Sequence, residues 1–170
     1  MKFNYYAFRA MYLHEMDRFR RTLMQSLFSP VLSTSLYFIV FGSVIGGYVE
    51  KIDGISYGSY IVPGLLMLTL LTQSISNTSF GIFFPKFNGT IYEILAAPIS
   101  TFEIVLAFVG AGATKTLIVG VVIFITATFF VEVQVMYPLL MIFLLVLVAF
   151  TFALFGFLIG LMSSNFEQMS

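Results

Sequence analysis

The sequence contains no cysteine, no tryptophan and a single histidine, His14, and only 9% of its 170 residues are charged. Without cysteine there is no disulfide framework and no thiol nucleophile, and one histidine leaves no zinc finger and no His-based metal site. The shortage of charge excludes more. A soluble domain is about one quarter charged because it needs a hydrated surface; a chain that is 59% hydrophobic, with a mean hydropathy of +1.01, cannot build one. Its 8 basic and 8 acidic residues cancel, so no net field draws nucleic acid or an acidic substrate. What remains is the composition of a membrane protein. At about 20 apolar residues per crossing, this length admits at most about six spans.

Residues 1 to 26 interleave Lys2, Arg9, Arg18, Arg20 and Arg21 with aromatics and lack the continuous apolar core of a signal peptide. Tyr5, Phe8, Tyr12, Met16, Phe19 and Leu23 recur at spacings of three and four, while Arg9, Asp17, Arg20 and Arg21 fall off that stripe. This predicts an amphipathic interfacial helix, apolar face on lipid and basic side chains toward headgroups. Residues 27–170 then form the transmembrane part, with four runs long enough to cross: about Leu27 to Val49, Tyr57 to Phe80, Thr101 to Val131 and Tyr137 to Met162. Pro30 suits the first turn of the first run, and the polar Glu50-Lys51-Ile52-Asp53-Gly54 turn ends it. The expected fold is all-α and polytopic.

Lysine and arginine set the orientation. Five precede the first run, Lys51 lies in the first connection, Lys86 in the second, and none in the third, which places the N-terminus, the 81 to 100 loop and the C-terminal tail in the cytoplasm. In that loop Pro85 and Asn88-Gly89 are expected to break the second span, Thr90 can cap, and Ile91 to Ala97 supplies about two helical turns before Pro98 stops them. Ile91, Ile94 and Leu95 share a face of this short helix and Glu93 points elsewhere, an apolar knob and an acid for a partner; composition alone favours a re-entrant or merely connecting loop.

The N-terminal amphipathic helix, Tyr60-Ile61-Val62-Pro63-Gly64 opening the second span, and Gly89-Thr90-Ile91-Tyr92-Glu93-Ile94-Leu95-Ala96-Ala97-Pro98-Ile99-Ser100 together resemble the membrane subunit of an ABC-2-type exporter, in order and over essentially the whole chain. The resemblance implies a multi-pass inner (plasma) membrane permease that forms the substrate path as a homodimer. It binds no cofactor itself; ATP is used by a separate cytosolic ABC ATPase. Residues 90–97 would be the coupling helix, with Thr90, Ile91, Glu93, Ile94 and Leu95 facing that ATPase. Since the family usually has six spans, the four here would be the N-terminal part of such a permease. The rival class is a non-transporting membrane scaffold that anchors a cytosolic partner through the same loop.

Within the second span Thr69, Thr72, Gln73, Ser76 and Asn77 occupy one helical face. A polar face in lipid needs partners, so it either glues helices or lines the path. Glu103 and Lys115 in the third span are 12 residues apart, about 18 Å along a helix, too far to pair, so Lys115 needs a carboxylate elsewhere, a wet cavity or a snorkelling conformation. Gly110-Ala111-Gly112-Ala113 before it allows a close helix neighbour. It is no nucleotide loop, because Thr114 stands where the phosphate-binding pattern needs glycine. Gly42-x-x-x-Gly46 and Gly156-x-x-x-Gly160 are close-packing patterns, within or between subunits.

Overall fold

A computed structural model describes residues 3–45, 51–52, 55–133 and 135–165, the side chains of 42–45 and 51–52 excepted. The Gly42-x-x-x-Gly46 pattern, the Glu50 to Gly54 turn and residues 166–170 of the tail therefore lie wholly or partly outside the described residues.

Among the described residues the chain is all-α apart from one minimal ladder. Helices α1 (Tyr5–Arg21) and α2 (Leu23–Tyr37) lead into a π-helical segment, Phe38–Ile45. Strands β1 (Lys51–Ile52) and β2 (Ile55–Ser56) pair antiparallel, with Ile52 opposite Ile55. Then follow α3 (Tyr57–Phe87), the short α4 (Ile91–Ala96), α5 (Thr101–Phe130) and α6 (Pro138–Met162). Among the described residues four stretches are long and apolar enough to cross a membrane: Leu23–Phe41, Tyr57–Phe87, Thr101–Phe130 and Pro138–Met162.

Two boundaries differ from the sequence reading. The first spanning helix starts at Leu23, four residues early, and Pro30 sits inside it, buried, instead of in its first turn. The break between α1 and α2 falls at Thr22, whose hydroxyl donates to the carbonyls of Arg18 and Phe19, closing α1 from within. The second span does not stop near Phe80, since α3 continues through Pro85 to Phe87. A proline this close to a helix end removes one hydrogen bond, and burial of Ile82 and Phe83 against the bundle, with Phe83 stacked on Phe87, outweighs that loss. The terminator is Gly89, at φ +80°, a conformation that glycine adopts without steric cost.

Helix α5 is the central element, packed against α1, α2, α3 and α6. Its small residues Ala107, Ala111, Ala113 and Ala127 are fully buried, which lets its neighbours come close. The seam between α3 and α6 is tighter still. A Cβ on Gly156 would lie 2.5 Å from the Ile75 carbonyl oxygen, and one on Gly160 would lie 2.6 Å from that of Ser79. Gly156-x-x-x-Gly160 therefore packs within this chain, with Ala149 and Ala153 fully buried on the same helix. Lys86, at the end of α3, reaches across and donates to the carbonyls of Leu161 and Ser163 at 2.7 and 2.8 Å. It thereby satisfies acceptors that the C-terminus of α6 leaves open.

Candidate functional site

Helix α4 is held between two terminators, Gly89 before it and the extended Ala97 after it. Thr90 precedes it without a side-chain cap; its hydroxyl donates instead to the Pro85 carbonyl at 3.4 Å, bracing the turn against α3. The expected apolar face divides. Ile91 and Ile94 are half-buried and pack on the cluster built around Ile82, Ile104 and Phe108, whereas Tyr92, Glu93 and Leu95 are exposed. Six residues are too few for a sequence pattern to tell the inner stripe from the outer one. Behind α4, Ser100 and Glu103 form a capping box at the start of α5, with the Glu103 carboxylate accepting from Ser100 N at 2.8 Å and also from the backbone N–H of Asn4.

The polar set on α3 is not uniform. Thr69 donates to its own helix at the Leu65 carbonyl, 2.8 Å away, and Thr72 does the same to Leu68 at 3.0 Å. Asn77 donates to Thr116 Oγ1 on α5 at 3.4 Å, an interhelical bond, while Gln73 is half-buried and Ser76 exposed. A second polar row, missed from sequence, is buried deeper: Ser74 Oγ and Thr78 Oγ1 have no hydrogen-bond partner among the described residues, and Thr78 lies against Gly112, where a Cβ would come within 2.0 Å of its hydroxyl.

Lys115 finds its carboxylate on the N-terminal helix. Its Nζ lies 2.7 Å from Glu15 Oε2, and Arg18 Nη2 lies 2.8 Å from the same oxygen. Both Glu15 and Lys115 are 3% exposed, so neither charge is screened by water. Further along, Tyr12 donates to Thr114 Oγ1 at 2.9 Å. These contacts join α1 to α5 at a nearly constant separation of 99 to 102 residues, so the two helices run parallel, side by side. The stripe expected to face lipid thus turns partly inward: Phe19 is buried with Leu66, Leu70, Val119 and Ile123, while Tyr5 stays exposed. Glu15 carried no sequence signal, because its partner is 100 residues away. Among the described residues no three His, Asp or Glu side chains gather in a way that could hold a metal.

A model of the ABC-2 type transporter family matches residues 6–170. Inner membrane transport permease YadH of Escherichia coli K12 is 37% identical over 164 residues, covering 96% of this chain and 64% of the relative, and the same-named protein of Shigella flexneri matches identically. The chain thus spans somewhat less than two thirds of the length of these relatives. No solved structure gives a significant match. A bundle of apolar helices around a small-residue α5, with a short helix between α3 and α5, is the architecture over which that family match runs, and the chain belongs to the ABC-2 type transporter family.

Proposed function

We propose that this chain contributes the substrate path of an exporter and is driven by a separate ATPase that docks on α4 from the cytoplasm. The observation that carries this reading is the two-sidedness of α4. Tyr92, Glu93 and Leu95 offer a partner one acid and two large exposed side chains, and Ile91 and Ile94 on the opposite side rest on the core shared by α3, α5 and α6. A push on the outer face is therefore delivered to packed helices, and packed interfaces rearrange between discrete states instead of deforming smoothly. Differential affinity of the ATPase for those states supplies the driving free energy. The path would form between two copies of the permease, with Thr72 and Ser76 the members of the α3 polar row exposed on a single copy. An N-terminus in the cytoplasm follows from the distribution of Lys and Arg.

The test is Glu93→Arg in the exporter complex. ATP hydrolysis is expected to uncouple from export while the protein stays in the membrane at normal abundance. Normal export by this variant would sink the coupling role, and recruitment of the ATPase without any ATP-dependent flux in the native chain would favour the scaffold instead.

A further inference from the structure

The contact between α1 and α5 leaves its charges unevenly presented. A cavity of about 190 Å³ opens between the α1–α2 junction, α3 and α5, and its walls include Arg18, Ser26, Ser76, Asn77, Phe84 and Lys115. Both cations line it, but their shared counter-ion Glu15 does not. One carboxylate against two cations leaves a net positive charge of one, and that charge faces the cavity. Arg18 has further guanidinium donors beyond the Nη2 that meets Glu15, Lys115 has further ammonium hydrogens, and the Ser76 hydroxyl and Asn77 amide add neutral polar groups beside them. The Arg18 guanidinium is steadied over the Phe84 ring at 5.9 Å from its centroid, and its side chain remains 35% exposed, so the mouth is open. At about 30 Å³ per water molecule the space holds a polyatomic anion, not only a single ion.

Its depth suggests the source of that anion. The 30 residues of α5 make a rod of about 45 Å, against a hydrocarbon core of about 30 Å, so roughly 15 Å must stand outside the apolar layer. Counted along the offset of about 100 residues, α1 lies beside α5 from about residue 105 to about residue 121, nearer its N-terminal end than its C-terminal one, and the hydration of Arg9, Arg18, Arg20 and Arg21 requires that the protruding end be this one. Lys115, 14 residues beyond Thr101 and so about 21 Å along α5, then lies roughly 6 Å inside the apolar layer, within snorkelling reach of the headgroups, and the cavity walls of Phe19, Phe80 and Phe84 suit an amphiphile.

We propose that this cavity binds the phosphate ester of an anionic phospholipid from the leaflet on the α1 side. The same chemistry would accept free phosphate, and the test separates the two sources. The purified chain is incubated with phosphatidylglycerol, phosphatidylcholine or inorganic phosphate, and retained ligand is counted by native mass spectrometry alongside the melting temperature. Phosphatidylglycerol is expected to be retained and stabilising, phosphatidylcholine neither. Arg18→Gln leaves the Glu15 to Lys115 bond in place and should weaken retention about tenfold or more. Ser76→Phe changes no charge and fills the space from an exposed position, so it should have the same effect even if loss of Arg18 disturbs folding. Stabilisation by inorganic phosphate equal to that by phosphatidylglycerol would overturn the lipid source in favour of a soluble anion. Equal retention of the two lipids, or undiminished phosphatidylglycerol binding by both variants, would overturn the site.

Discussion

The α3–α6 seam and the α1–α5 seam hold the same bundle by opposite means. The first has almost no polar side chains crossing it and depends on missing ones: Gly156 and Gly160 bring two backbones to a separation that a single methyl group would violate. The second depends on a few directed bonds, from Glu15 to Lys115, from Tyr12 to Thr114 and from Asn4 to Glu103. Lipid tails are as apolar as leucine, so burying apolar surface gives helices little reason to associate in a membrane, and close packing or polar bonding must substitute for it. A seam of backbone contacts is rigid and intolerant of added volume. A seam of polar bonds tolerates volume but not the loss of one partner.

Substitutions that attack each seam in its own terms make that contrast measurable. The largest effect is expected from Lys115→Met, which leaves Glu15 buried with only Arg18 as counter-ion. Breaking a buried pair from one side costs about 3–5 kcal/mol, read as loss of stability in detergent, and adding Glu15→Gln should restore most of it. Gly156→Ala comes next, at about 1–3 kcal/mol, because the atoms it meets are backbone and cannot rotate away. Tyr12→Phe, which removes one half-buried hydrogen bond without changing shape, should cost about 0.5–1.5 kcal/mol by the same assay. The smallest change has the opposite sign: Gly64 has nothing within 4 Å of its would-be Cβ, so Gly64→Ala should stabilise α3 by about 0.5–1 kcal/mol. Were Gly156→Ala as harmless as Gly64→Ala, the α3–α6 seam would be looser than described.

The four spanning helices were legible because run length alone specifies them: the third was expected from Thr101 to Val131 and α5 occupies Thr101–Phe130. Local signals read less well where packing competes with them. Pro85 looked like a stop, yet one lost hydrogen bond does not end a helix whose preceding residues Ile82 and Phe83 are buried and whose Phe87 stacks on Phe83. Lys115 was legible as a charge in need of a carboxylate, but nothing local could identify Glu15, because pairing across 100 residues is a property of the fold. The α6 glycines were likewise legible as a close contact without revealing that α3 makes it.

The separation of about 100 residues between α1 and its partner helix also has a consequence for biosynthesis. At about 5–20 residues per second, ribosomes need roughly 5–20 s to travel from Glu15 to Lys115. For that interval the N-terminal helix exists without the surface it will finally cover, with Glu15 and Phe19 both uncommitted. An amphipathic strip that can rest at the membrane surface is suited to such a wait, and the basic residues along it keep it there until α5 arrives. The amphipathic pattern in the first 26 residues thus describes the helix at the moment of its synthesis, and the buried ion pair describes it once the bundle has closed.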